Sequence, residues 1–140
     1  MSGCDERESL AWESRSLIGC LYDLQRNTDA VCALVVRDDG AILAKVTTDA
    51  NFDVDTLGAI SSMIFATSRM LVRELGTEGE VLGGITIGTE YQLLVMGITP
   101  KVALITLCRK SFAKGLLQYQ ARTIMPRMID CLGHATPEIR

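Results

Sequence analysis

The 140-residue chain carries a single histidine, His134. One imidazole beside Gly133, near the end of the chain, leaves almost no room for a nucleophile–histidine–carboxylate triad or a multi-histidine metal site. It reads as a solvated tail residue. The five cysteines (Cys4, Cys20, Cys32, Cys108 and Cys131) are odd in number and contain no close pair, so their spacing signals neither a metal centre nor a disulfide framework. Cys20, Cys32 and Cys108 fall in apolar periodic stretches, where a free thiol behaves as a small hydrophobe; Cys4 is expected to be the one open to reagents. Ser61 and Ser62 have no nearby histidine or lysine to activate them and read as helix-surface hydroxyls. "GGITIG" at 83–88 is glycine-rich, but no Lys-Ser/Thr follows it and it lies in a strand, which argues for a sheet edge over a phosphate loop. Asp38, Asp39, Asp53 and Asp55 sit where turns and helix caps are expected, and local hydrogen bonding accounts for them. The inventory predicts no catalytic residue, no metal and no cofactor. A thiol-dependent enzyme of unfamiliar type is the most distant alternative.

Composition narrows the remaining classes. Apolar residues make up 48% of the chain and aromatics 5%, so the core is expected to be aliphatic and methionine-rich. The 14 Lys and Arg are scattered and the net charge is −3, which gives no footprint for nucleic acid and disfavours an anionic membrane surface. No run approaches the ~18 apolar residues of a membrane span. "MSGCDERES" has no apolar stretch of the kind a signal peptide needs, although "SGC" is similar to a lipoprotein cleavage site. A soluble, cytoplasmic protein is expected.

The elements that position these residues follow from periodicity. Residues 1–8 are expected to be a flexible tail, 9–133 one domain, and 134–140 a second tail. Leu10, Leu17, Cys20, Leu21 and Leu24 form one stripe of a first helix from Ser9 to about Arg26, with Trp12 packing in its first turn. "VCALVV" (31–36) and "AILAKV" (41–46) flank "RDDG" as a hairpin. Both alternating sets of the first strand are apolar, so the sheet needs cover on both faces. A second helix runs from about Val54 to Leu75, capped by Asp53 or Asp55 and stopped by Gly76. "VLGGITI" (81–87), "YQLLVMGI" (91–98) and "VALITLC" (102–108) are joined by three-residue connections, too short for parallel crossovers. A last helix runs from Ser111 to about Met125, where Pro126 kinks or ends it, with a short continuation through Met128, Ile129 and Leu132. The predicted fold is an α/β sandwich of the α+β kind: a five-stranded antiparallel sheet with helices on both faces, in the order α-β-β-α-β-β-β-α.

At ~100° per residue the second helix separates into two apolar arcs. The wide arc carries Leu57, Ile60, Ile64, Leu71 and Leu75, with Val54, Phe65 and Val72 at its margin, and is expected to lie on the sheet. The narrow arc, nearly opposite, carries Ala59, Met63, Ala66 and Met70. A surface helix of a monomer needs one apolar face. Loop cover or ordinary exposure is the bland account of the second. A second copy of the chain is the sharper one, because small residues permit close approach and methionine adapts to irregular surfaces. Burying the four methionines that two copies bring together gives roughly 6–12 kcal/mol gross, against an association cost of about 4–15 kcal/mol. A further contact is therefore expected, and the glycine-weakened strand with Gly83, Gly84 and Ile85 supplies a sheet edge for it.

The element order, the "VRDDGAILAK" hairpin and the "LGAISSMIFATSRMLVRELG" helix together resemble the roadblock family of dynein-associated light chains, which includes bacterial and archaeal polarity and GTPase regulators. The likeness covers about residues 10–133; Pro126 and the paired glycines of the third strand depart from the pattern. It implies a profilin-like sandwich that homodimerises through its second helix and third strand, matching Ala59, Met63, Ala66, Met70, Gly83, Gly84 and Ile85. It further implies a noncatalytic platform for Ras-like small GTPases or for motor and signalling assemblies. Ser62, Arg69 and Arg73 lie between the two arcs as a rim. A solvated charged face is their ordinary reading; as a partner-binding surface they would set a guanidinium near a GTPase's phosphates. The alternative function is a small-molecule-sensing module, in which a methionine-lined gap holds the ligand.

Overall fold

The computed structural model describes residues 17–135. The expected tail 1–8 with Cys4, the start of the first helix with Leu10 and Trp12, and residues 136–140 lie outside the described residues. Within them the first helix, α1, occupies residues 17–27. It is followed by β1 (Ala30–Arg37), β2 (Ile42–Thr47), α2 (Val54–Glu74), β3 (Leu82–Ile87), β4 (Tyr91–Thr99), β5 (Val102–Arg109) and α3 (Lys114–Ala135).

The strands form one sheet in the order β2-β1-β5-β4-β3, every pair antiparallel. The three central strands are buried along almost their whole length, whereas β2 and β3 are the partly exposed edges. Because β2 and β3 are opposite edges, α2 must carry the chain across one face of the sheet between them. It packs over β1, β2, β4 and β5. Two cores result. Leu21, Leu24, Val35, Leu104, Leu117, Ala121 and Met128 close the face under α1 and α3. Leu34, Val36, Phe65, Val95, Ile105 and Leu107 close the face under α2.

Local chemistry explains the element ends. In the β1–β2 turn the Gly40 amide donates to the Arg37 carbonyl at 3.0 Å, and Gly40 adopts φ +99°, a region glycine enters without a Cβ penalty. The Asp39 carboxylate accepts from Arg37 and from the Ala41 amide, which holds its pKa down at about 2. The Asp38 amide donates to the Lys101 carbonyl at 2.9 Å, tying this turn to the β4–β5 turn. Asp53 caps α2 by accepting from the Thr56 amide and hydroxyl at 3.1 and 2.6 Å. At the other end Thr77 donates to Val72 and Gly76 to Arg73, with Gly76 at φ +66°. That is the paired bonding of a glycine-terminated helix.

One expected boundary is corrected. Pro126 does not end α3: the expected continuation through Met128, Ile129 and Leu132 belongs to the same helix, which extends to Ala135, so His134 falls in its last turn and not in a tail. Proline cannot donate to the Arg122 carbonyl, but Ile124 before it and Met128 and Leu132 after it are all buried in one core. Packing on both sides outweighs one missing bond.

Candidate interaction surface on the second helix and the edge strand

The residues of α2 buried most deeply against the sheet are small, with one exception. Gly58, Ser61 and Ser62 are buried together with Phe65. A Cβ at Gly58 would lie 2.6 Å from Ile42 Cδ1 and 2.9 Å from its Cγ1, so glycine is what lets the helix come this close to β2. The Ser62 hydroxyl donates to the Gly58 carbonyl at 2.7 Å. The expectation that Ser61 and Ser62 are surface hydroxyls is therefore corrected, and Ser62 is not part of an exposed rim with Arg69 and Arg73. The sheet explains why: beneath α2 it already presents Leu34, Val36, Leu93, Val95, Ile105 and Leu107. Small residues plus one phenylalanine fit that filled face, where a row of leucines and isoleucines would be held too far out.

The same rotation corrects the expected wide arc. Leu57 and Ile64 are half-buried against the core, but Ile60, Leu71 and Leu75 turn outward. They join Met63 and Met70, and these five side chains are between 52% and 74% exposed. Ala59 is exposed beside them and Ala66 half-buried. The two arcs of the helical wheel are thus one broad apolar outer face, interrupted by Thr67 and Glu74. Arg69 is half-buried and Arg73 exposed, and neither takes part in an ion pair among the described residues.

Beyond α2 lies the β3 edge. Among the described residues its only sheet neighbour is β4, with Gly83 opposite Val95 and Ile85 opposite Leu93. Val95 and Leu93 belong to the α2-side core, so Gly83, Ile85 and Ile87 share that face while Leu82, Gly84 and Thr86 share the other. Ile85 is half-buried, and Leu82 and Ile87 are exposed. A Cβ at either Gly83 or Gly84 would meet nothing within 4 Å. No neighbour among the described residues requires these glycines.

Residues elsewhere support this frame without adding chemistry. The Gln92 side-chain amide donates to the Arg109 and Phe112 carbonyls at 3.0 and 2.6 Å, fixing the β5–α3 loop from β4. Nothing in its sequence setting marks that role. Cys20, Cys32 and Cys108 are buried, as their setting predicts; burial pushes the Cys32 and Cys108 thiols up to about 11. Among the described residues no group of His, Cys, Asp or Glu could hold a metal ion, and no helix is long and apolar enough to cross a membrane. An open groove of about 330 Å³ runs beside α3, lined by Glu80, Leu82, Met96, Gly97, Arg122 and Met125.

No protein-family model matches this sequence, and no curated protein matches it. Solved structures do. The gliding protein MglB from Thermus thermophilus is similar with a TM-score of 0.75 and 18% identity, over 88% of this chain and 93% of that one. MglB from Myxococcus xanthus gives 0.72 and 13%, over 87% and 95%. A roadblock/LC7 domain from Streptomyces avermitilis gives 0.59 and 17%, over 84% and 96%. The likeness to roadblock proteins read from the hairpin and the second helix thus holds in three dimensions: the chain has the fold of MglB and of roadblock/LC7 domains.

Proposed function

We propose that this protein is a noncatalytic, homodimeric adaptor that regulates a Ras-like small GTPase, or a related signalling or motor assembly, in the cytoplasm. The observation that carries the reading is the outer face of α2, where Ile60, Met63, Met70, Leu71 and Leu75 are exposed along the helix and its C-cap, beside a strand edge left unpaired among the described residues. Covering five such side chains on each of two protomers contributes on the order of 10–20 kcal/mol gross, against about 4–15 kcal/mol for association. This exceeds what the Ala59, Met63, Ala66 and Met70 stripe provides alone. Pairing through Gly83, Gly84 and Ile85 adds backbone hydrogen bonds and continues the sheet from one copy into the next. The fold shared with roadblock/LC7 domains and MglB supports the regulatory part of the reading, and Arg69 and Arg73, without ion-pair partners among the described residues, are its candidate contacts to the GTPase.

The test is a titration of the purified protein with a Ras-like GTPase loaded with GDP or with a non-hydrolysable GTP analogue. Binding that depends on the nucleotide is expected, weakened by Arg69→Ala and Arg73→Ala. Equal or absent binding in both states would remove the GTPase reading. Unchanged turnover of the GTPase with both arginine variants would remove the sharper one, in which a guanidinium supplied in trans speeds hydrolysis. The small-molecule reading has one observation in its favour, the groove bordered by Met96 and Met125. That groove is open to solvent, whereas small-molecule sites usually enclose most of their ligand. A small molecule that copurifies with the protein and raises its melting temperature would favour that reading.

A further inference from the structure

Folding brings together two thiols that lie at opposite ends of the described chain. Cys20 in α1 and Cys131 in α3 are both free; Cys131 packs against the core in which Cys20 is buried, and the two thiols are near enough to influence one another. About one helical turn away the same helices are joined again, by Arg127 Nη1 donating to Asp23 Oδ2 at 2.8 Å. Moving from Cys20 to Asp23 ascends α1, while moving from Cys131 to Arg127 descends α3. The two contacts are therefore successive rungs of one seam between oppositely directed helices. Leu24 and Met128, both fully buried in the same core, continue it.

The two sulfurs differ in access. Cys20 is buried and Cys131 half-buried, so an external reagent meets Cys131 first and Cys20 lies behind it. Burial pushes the Cys20 thiol up, and the neighbouring Arg127 charge opposes that rise. Cys32 is packed in the opposite core and Cys108 elsewhere in the same one.

We propose that Cys20 and Cys131 form an oxidisable dithiol, a covalent modification site that reacts with peroxide-class oxidants and closes a disulfide between α1 and α3. In the first step the Cys131 thiolate attacks a peroxide oxygen. The O–O bond breaks, hydroxide leaves and takes up a proton as water, and Cys131 becomes a sulfenic acid. In the second step Cys20 gives up its proton and attacks the Cys131 sulfur; the S–O bond breaks and a second water leaves. Two thiols have lost two electrons and one peroxide has become two waters. The bond fastens to α1 the part of α3 that follows Pro126, where the helical hydrogen-bond ladder is interrupted.

The test treats the full-length protein with hydrogen peroxide, alkylates the remaining thiols, and maps non-reduced peptides by mass spectrometry. A linked peptide pair containing Cys20 and Cys131 is expected, with Cys32 and Cys108 alkylated only after unfolding. Cys131→Ser should abolish the link. Phenylarsine oxide, which bridges two neighbouring thiols with loss of one water, probes the same geometry without oxidation; it should be retained by the native protein and washed out of Cys131→Ser. Oxidation of Cys131 to sulfinic acid with no link to Cys20, or links made only through Cys4, in protein with an unchanged circular dichroism spectrum, would overturn the proposal. So would a failure of the folded native protein to retain the arsenical.

Discussion

On one face of the sheet α3 lays Leu117, Ala121, Ile124, Met128 and Leu132 into a core shared with α1, all five buried. On the other, α2 lays down Gly58, Ser61, Ser62 and Phe65 and leaves Ile60, Met63, Met70, Leu71 and Leu75 in solvent. A helix settles on whichever side fits the surface beneath it. Under α3 the sheet sets Ala30, Ala33 and Ala44 among its larger side chains, and the large apolar stripe goes in. Under α2, where the sheet presents Leu34, Val36, Leu93, Val95, Ile105 and Leu107, the small residues go in deepest with Phe65, Leu57, Ile64 and Val72 flank them, and the outer large side chains stay exposed. The α3 side is therefore a closed interior; in the proposed dimer the α2 side is half of one.

The sharpest way to break this contrast is to truncate one methionine on each side. Met128→Ala, in the finished core, should lower unfolding free energy by about 2–5 kcal/mol, read by urea denaturation. Met70→Ala, measured at a dilution where the chain is a single copy, should change it by less than about 0.5 kcal/mol. A comparable loss at both positions would mean that α2's outer face is not free in the single chain. Next in size, Gly58→Ala places a methyl group against Ile42 and should cost about 1–3 kcal/mol through overpacking. Gly83→Ala, with nothing within 4 Å of the new Cβ, should not destabilise the single chain. A neutral Gly58→Ala in the same denaturation would show that α2 does not approach β2 so closely.

The smallest effect concerns the β1–β2 turn. Hydrogen bonding from Arg37, with the Ala41 amide, lowers the Asp39 pKa from 3.8 to about 2. A carboxyl lowered on folding stabilises the native state fully above its ordinary value, and that contribution is lost as pH falls through the folded one. Native protein should therefore melt slightly above Asp39→Asn at neutral pH, with the gap closing between pH 3.8 and about 2. A gap that persists at still lower pH would assign the difference to something other than this charge.

Much of this was legible because it is local. An aspartate cap at Asp53 or Asp55, Gly76 as a stop and the Asp39–Gly40 turn depend on groups a few residues apart, and the structure selects Asp53. The burial of Cys20, Cys32 and Cys108 follows from the periodicity around them. The rotation of α2 was not legible, because it depends on how full the opposite sheet face is, a property of several strands together. The small stripe of Gly58, Ser61, Ser62 and Phe65 was its available signal, outweighed by the larger side chains on the flanks. Pro126 misled because a broken hydrogen-bond ladder is local while the packing of Met128 and Leu132 is not. Cys20 and Cys131 escaped spacing rules for the same reason.

Sedimentation of the full chain at micromolar concentration, beside a Met63→Glu, Leu71→Glu variant, tests the central claim most directly. Twice the 15.3 kDa chain mass is expected for the native protein. The variant, still folded by circular dichroism, should sediment as one copy, its association weakened by about 100-fold or more as truncated interface anchors typically are. A native protein that stays a single 15.3 kDa species, or a variant that associates as well as the native chain, would contradict it.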